Sequence, residues 1–151
     1  MARPLTLPDS AKLGDFLCFA VYSANLAFGR AYRPILDKFG LTYTQYVSLV
    51  ALSEGDDQTV GELGDQLYLE SNTLTPILKK LEALGLVERR RDPADERQVR
   101  VKLTTAGRKL RQQVERDASK LIVATGLGED FAKVRKTVVR LRDNLLESTE
   151  S

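Results

Sequence analysis

The chain has 151 residues, of which 42% are apolar and 29% charged, and this balance with a net charge of +2 predicts one soluble globular unit over residues 1–151. Because it contains no histidine and a single cysteine, Cys18, histidine-based catalytic triads, most zinc sites and an intramolecular disulfide are excluded. No apolar run has the length of a membrane span and no signal-peptide core is recognisable, so we expect a cytoplasmic protein. We expect no cofactor.

The first predicted element is a long helix over residues 12–32. Its apolar stripe is rich in small residues at spacings of three and four, which suits close packing against another helix: Leu13, Leu17, Ala20, Ala24, Ala27 and Ala31. The pair Arg33-Pro34 predicts a break, because the residue before a proline avoids helical dihedral angles. A short helix to Phe39 should then end at Gly40.

Two further helices follow, each with a recognisable start. Thr42 can cap the second helix, whose inward face carries Tyr46, Leu49, Val50 and Leu52. Residues 59–62 match the capping box, in which a hydroxyl and a carboxylate satisfy backbone donors at a helix start. This third helix should end near Leu67, where a tight turn leads into the fourth.

The fourth helix, over residues 71–84, combines a buried face with a basic outer face. We expect Ser71 to cap its start and Gly85 to end it in the left-handed conformation. Helical spacing places five apolar residues inward: Leu74, Ile77, Leu78, Leu81 and Leu84. Thr73, Pro76, Lys79 and Lys80 remain on the outer face.

A β-hairpin is predicted after this helix. Val87, and then Val99, Val101 and Leu103, alternate with charged residues as half-buried strands do. Asp92-Pro93 starts a turn, so Asp95 and Arg97 should lie at the hairpin tip. A helix-turn-helix with a basic hairpin over residues 42–104 can enter adjacent grooves of duplex DNA.

The C-terminal part is again helical. Thr104 can cap a helix that continues to Leu121, and Gly126-Leu-Gly128 should break it. The last helix has an apolar seam at spacings of four and three: Leu127, Phe131, Val134, Val138, Leu141 and Leu145. Residues 10–40 and 105–147 are therefore expected to form the dimerisation region of a symmetric homodimer. The alternative is that both stripes pack only within the monomer.

Several stretches resemble one family of regulators. Residues 91–107, from Arg91-Asp-Pro to Ala-Gly107, resemble the wing signature of the MarR family of winged-helix repressors. Residues 17–22, 30–34, 41–46 and 67–76 are similar to the organic hydroperoxide resistance regulators within that family. The resemblance implies a mainly α-helical fold with a small β-hairpin wing, and a homodimer that binds a palindromic operator in double-stranded DNA.

The resemblance also implies how DNA is bound. In that family the helix that matches residues 71–84 enters the major groove, and the wing arginine, here Arg97, enters the minor groove with support from Asp95. From the residues themselves, basic side chains should hold phosphates while small polar ones approach base edges. The candidate DNA-binding residues are Ser71, Asn72, Thr73, Thr75, Pro76, Lys79, Lys80, Arg89, Arg90, Arg91, Asp95 and Arg97.

Cys18 is the candidate sensor. The resemblance implies a repressor that responds to organic hydroperoxide through this cysteine, with Tyr22 and Tyr32 hydrogen-bonding the thiolate. Tyr22 can lie beside Cys18 on one helix, whereas Tyr32 would be roughly 21 Å away along a straight helix and would have to come from the partner chain. Without a second cysteine, a sulfenic acid must persist, react with a low-molecular-weight thiol, cyclise to a sulfenamide or over-oxidise.

Other interpretations remain open at this point. Phe16, Leu17 and Phe19 surround Cys18 with apolar groups, which also suits a purely structural cysteine. Release could then depend on a noncovalent aromatic or phenolic ligand in the dimer cleft. A small thiol redox enzyme and an architectural DNA binder are the alternatives from other classes.

Overall fold

The computed structural model describes residues 6–150. Within this range the chain forms seven α-helices: α1 (Leu17–Asp37), α2 (Tyr43–Glu54), α3 (Val60–Leu67), α4 (Ser71–Ala83), α5 (Thr105–Ala118), α6 (Lys120–Ala124) and α7 (Phe131–Glu150). Single 3₁₀ turns, Leu13–Asp15 and Gly128–Asp130, precede α1 and α7. Three antiparallel strands, β1 (Gln58–Thr59), β2 (Val87–Arg91) and β3 (Val99–Leu103), form a sheet in the order β1-β3-β2.

The core lies among α2, α3, α4, α5 and the sheet. Fully buried side chains come from each of these elements: Leu49, Leu52, Leu63, Leu74, Leu78, Leu81, Val101 and Val114. The core therefore belongs mainly to the helix-turn-helix and hairpin. No helix among residues 6–150 is long and apolar enough to cross a membrane.

The predicted helix starts at Thr42, Thr59 and Thr104 are confirmed. Their hydroxyls accept hydrogen bonds from backbone amides three residues on, at 3.3, 3.1 and 3.0 Å respectively. A single Thr side chain can reach only these nearby amides, so the signal is local and can be read directly from the sequence. Gly85 takes a φ of +75° just beyond α4, as predicted.

The predicted break at Arg33-Pro34 is wrong, because α1 runs through Pro34 to Asp37. Proline removes one backbone donor, but the buried Leu36 and the partly buried Ile35 anchor this last part of the helix on the core. The start also differs from the prediction. Residues 13–15 form a separate 3₁₀ turn and Phe16 is extended, which places Cys18 in the first turn of α1.

Three smaller predictions are also corrected. Ser71 is the first residue of α4 and does not cap it; the N-cap is Glu70, which makes no side-chain capping bond. Leu84 is 50% exposed because the helix ends at Ala83, before the predicted face reaches it. The helix from Thr104 stops at Ala118, and Leu121 belongs to the separate α6.

The start of α5 packs closely against the end of α4. The carbonyl oxygen of Leu86 accepts the Thr104 amide at 3.1 Å, and the Thr104 hydroxyl donates to the Gly85 carbonyl at 2.8 Å. A Cβ atom on Gly107 would lie only 2.1 Å from the Leu86 carbonyl oxygen. Glycine is therefore required where α5 crosses the entry to the hairpin.

Candidate DNA-binding surface and thiol site

The outer face of α4 presents the predicted polar residues. Asn72, Thr73, Pro76, Lys79 and Lys80 are exposed, as is Ser71, while Thr75 is half-buried. The Thr75 hydroxyl donates to the Ser71 carbonyl at 2.7 Å within the helix. The leucines of the opposite face fix the helix on the core, so this outer face is held in a defined orientation.

A tight turn sets the angle between α3 and α4. Tyr68 has a φ of +59°, which is uncommon for a residue other than glycine, and the Leu69 amide donates to the Gly64 carbonyl at 2.9 Å. Arg142 of α7 lies over the Tyr68 ring, 4.7 Å from its centroid. The turn of the helix-turn-helix thus contacts the last helix of the same chain.

The predicted residues of the wing tip lie together. Arg97 has a side chain that is 90% exposed, and its Nε lies 3.1 Å from Asp95 Oδ1. The same carboxylate accepts the Arg97 backbone amide at 3.2 Å. A carboxylate that binds both groups restricts the arginine, which remains accessible to a ligand.

The three consecutive arginines of β2 already have partners within the chain. Arg89 makes two side-chain hydrogen bonds to Glu82, at 3.0 and 3.3 Å, and this contact holds the pKa of the Glu82 carboxyl below its usual value. Arg90 binds both carboxylate oxygens of Asp57, at 2.7 and 3.0 Å. Arg91 donates to the Glu96 carbonyl at 2.9 Å. Arg89 and Arg90 are therefore neutralised locally.

Sequence reasoning missed the acidic residues that bind these arginines. Asp57 also binds Arg100, which in turn lies 3.2 Å from Asp92. The Ala94 amide, and then Arg100, hold the pKa of the Asp92 carboxyl below its usual value. Asp57 is 33 and 43 positions from its two arginines, so no local pattern reveals these pairs.

The candidate sensor residues lie at opposite ends of α1. Cys18 is exposed in the first turn, and Tyr22, one turn further on, is 59% exposed with its ring 6.1 Å from that of Phe19. Tyr32 packs edge-on against Tyr43, with ring centroids 5.1 Å apart. Burial raises the pKa of Tyr32, and the neighbouring Tyr43 raises it further. Because α1 is continuous, Cys18 and Tyr32 of one chain are about 21 Å apart along it.

An apolar groove of about 770 Å³ separates the small-residue stripe of α1 from the seam of α7. It is lined by residues that include Ala24, Phe28, Leu121, Phe131, Val134 and Val138. Four large apolar side chains that line the groove remain exposed: Val21, Phe28, Val134 and Val138. Leu17 and Leu26 of α1 and Leu145 and Leu146 of α7 are exposed as well. Exposed apolar surface of this extent is typical of an interface.

Comparison with known proteins identifies the family. A model of the transcriptional regulators SarA/Rot matches residues 30–114. The organic hydroperoxide resistance transcriptional regulator of Bacillus subtilis (strain 168) is 38% identical over 138 residues, which cover 91% of this chain and 94% of that protein. The chain belongs to the MarR family, in the group of organic hydroperoxide resistance regulators.

Two further similarities support this membership. The regulator TtmR of Methylorubrum extorquens (strain PA1) is 51% identical over 107 residues, which cover 71% of this MarR-family chain and 55% of TtmR. Reduced AbfR bound to DNA is 34% identical, with a TM-score of 0.76 and coverage of 89% of this chain and 94% of that one. AbfR, a Staphylococcus epidermidis protein, has also been solved overoxidized on DNA and in a disulfide form.

The predicted winged helix-turn-helix fold is thereby confirmed, with β2 and β3 as the wing. β1, which sequence reasoning did not predict, adds a short third strand. This MarR-family chain is a DNA-binding transcriptional regulator.

Proposed function

We propose that the protein is a homodimeric repressor that leaves its palindromic operator when an organic hydroperoxide oxidises Cys18. The observation that carries this proposal is the position of the chain's single thiol: it is exposed in the first turn of α1, two residues before Ala20, which lines the apolar groove. A thiolate is the form that reacts with peroxide.

The oxidation step is a two-electron transfer from sulfur to the peroxide. The Cys18 thiolate attacks the terminal oxygen, an S–O bond forms as the O–O bond breaks, and the leaving alkoxide takes up a proton to become an alcohol. Cys18 is left as a sulfenic acid, which a low-molecular-weight thiol can convert to a mixed disulfide with release of water. Apolar neighbours such as Phe16 and Phe19 favour an organic over an inorganic oxidant.

The dimer supplies the rest of the sensor site. Tyr22 of the same chain lies one turn from Cys18, and the length of α1 requires that Tyr32 come from the partner chain if it contacts the thiol. An added oxygen or attached thiol between such groups changes how the two chains pack. The equilibrium then shifts towards dimers in which α4 and the wing of the two chains are no longer spaced to bind both halves of a palindrome.

DNA is held by α4 and the wing of each chain. Asn72, Thr73, Thr75 and Pro76 approach base edges in the major groove, Lys79 and Lys80 contact phosphates, and the exposed Arg97 enters the minor groove. The local pairing of Arg89 and Arg90 gives these two a smaller part in phosphate binding than their charge alone predicts.

A noncovalent inducer is the second candidate, and the apolar groove favours it. Its volume of about 770 Å³ lies within the range of sites for small organic ligands. In this case an aromatic or phenolic compound would occupy the groove and Cys18 would have no role in release.

One experiment separates the two mechanisms. Fluorescence anisotropy follows reduced protein on a duplex from its own promoter, before and after stoichiometric cumene hydroperoxide, with Cys18→Ser beside the wild type. We expect release of the wild type and continued binding of Cys18→Ser. Ala106→Ser, a small-to-hydroxyl change at an exposed position of α5 outside the groove, is the matched control and should be released like the wild type.

The other outcomes are equally informative. If both wild type and Cys18→Ser are released, the oxidant does not act through this thiol. If neither is released, the redox mechanism fails and phenolic compounds become the ligands to test.

A further inference from the structure

Asp57 connects the wing to the loop that follows α2. It lies in the loop between α2 and β1 with a φ of +58°, a conformation that Asp and Asn tolerate better than most residues. Its carboxylate binds Arg90 at 2.7 and 3.0 Å and Arg100 at 3.4 Å, and its carbonyl oxygen accepts from Arg100 at 2.7 Å. One residue thus binds both strands of the hairpin.

The two arginines form a directly opposed pair on the sheet. Arg90 of β2 and Arg100 of β3 are cross-strand partners in the register. Like charges in this arrangement repel each other unless an anion lies between them. Asp57 supplies that anion, with Asp92 as a second one for Arg100 at 3.2 Å.

The same pairing restrains both positive charges. Arg100 lies three residues from Arg97, so their Cα atoms are at most about 11 Å apart. A free arginine at this distance from a tip in the minor groove would reach the phosphates that border the groove. Arg90 has a side chain that is 53% exposed, so its pairing and not burial restrains it.

We propose that Asp57 is a specificity-determining residue, which holds Arg90 and Arg100 away from the DNA backbone and so limits binding to sequences that do not match the operator. Phosphate contacts carry no sequence information and add affinity for all DNA equally. With the two arginines held, base contacts from α4 and the contact of Arg97 account for a larger share of the affinity.

This inference rests on the DNA-binding part of the proposed function and is independent of Cys18 oxidation. It is tested with reduced full-length protein on a promoter duplex and on a scrambled duplex of equal composition, by anisotropy over a series of NaCl concentrations. Asp57→Asn removes the charge but suits the backbone conformation. Glu88→Gln is the matched control, because the Glu88 side chain is exposed on β2 and makes no hydrogen bond or ion pair among residues 6–150.

We expect Asp57→Asn to bind the scrambled duplex more tightly than the wild type, and to lose preference for the promoter duplex. Its slope of log affinity against log salt should steepen by about 0.9, the contribution of a released Arg90 that meets a phosphate, because Arg100 keeps the Asp92 carboxylate and the carbonyl oxygen of residue 57 as acceptors. The double variant Asp57→Asn/Arg90→Gln should return to the wild-type slope, because it lacks the released arginine. Glu88→Gln alters net charge equally and should keep the wild-type slope and preference.

An Asp57→Asn protein that matches Glu88→Gln in slope and preference would overturn the inference. Circular dichroism establishes whether Asp57→Asn folds. If it does not fold, the salt slope of Arg90→Gln tests the inference, because an arginine that Asp57 keeps from phosphate changes the slope by well under 1 when it is removed. A fall of about 1 would show that Arg90 already contacts phosphate, contrary to the inference. Wild-type protein without preference for the promoter duplex would instead overturn the proposed function itself.

Discussion

Gly107 has less room for a side chain than any other glycine among residues 6–150. An added Cβ would lie 2.1 Å from the Leu86 carbonyl oxygen and 2.8 Å from Leu103 Cδ1. The first neighbour is backbone and cannot move aside without displacing the entry to the wing. We expect Gly107→Ala to lower the free energy of unfolding by about 3 kcal/mol, measured by urea denaturation at fixed protein concentration.

Gly61→Ala is the matched control for this change. Its Cβ would meet only Thr59 Oγ1, at 3.9 Å, and it lies in α3, where alanine is the better helix former. Its stability should rise by up to about 1 kcal/mol. Equal stabilities for the two alanine variants would mean that the Gly107 contact relaxes at little cost.

Residues differ in how far their roles can be predicted from the sequence. The capping hydroxyls of Thr42, Thr59 and Thr104 act on amides three positions away, so a short pattern suffices. The partners of Arg90 and Arg100 depend on how a distant loop folds back onto the sheet, and the sequence gives no sign of which charge Asp57 meets. Cys18 was singled out by resemblance, and its position in the first turn became visible only with the true start of α1.

Between elements, the contact of Glu82 on α4 with Arg89 on β2 joins α4 to the wing. Arg89 holds the pKa of Glu82 below the usual 4.5, and the Ala94 amide with Arg100 holds the pKa of Asp92 below 3.8. Both carboxylates therefore contribute their full stabilisation at pH values above their usual pKa values. Since the unfolded chain binds protons first on acidification, this stability is lost as the pH falls through the lowered values.

We expect Glu82→Gln to unfold with a weaker dependence on acid than the wild type. The variant lacks one of the carboxylates whose ionisation is linked to folding, so the free energy of unfolding should fall less between pH 5 and pH 2, measured by urea denaturation at several pH values. Glu88→Gln, which removes an unpaired carboxylate on the neighbouring strand, should follow the wild-type profile. A Glu82→Gln profile that also follows it would show that the contact with Arg89 does not contribute to stability.

Elements with a strong apolar period were predictable, and the others were not. α2, α3, α4 and the hairpin combine such a period with clear boundary residues. β1 has only two residues, too few for any alternation, and exists because β3 offers it a free edge. Pro34 predicted a break because the sequence shows the local cost of a proline within a helix. The sequence does not show that Leu36 is buried in the core, and this burial outweighs the cost.

At the scale of the whole molecule, the exposed apolar surface of α1 and α7 predicts a homodimer. Val138 lines the groove and is 44% exposed in the single chain. Val138→Asp would place a charge in this interface, where desolvation disfavours it. We expect a monomer by sedimentation velocity, with loss of binding to a palindromic duplex.

Asn144→Asp introduces the same charge on α7 away from the seam and should stay dimeric. Circular dichroism would establish that Val138→Asp keeps its helices. A folded Val138→Asp dimer would place the interface elsewhere and leave the groove open to a ligand.

The tight junction at Gly107 also has a mechanical consequence. Because α5 crosses the wing entry without spare room, α4, the wing and the start of α5 must turn together as one rigid body. A small rotation near α1 would then become a larger displacement at Arg97, as at the far end of a lever. The amplitude of such a movement depends on the distance from the pivot, and it needs no deformation of the proposed DNA-binding surface.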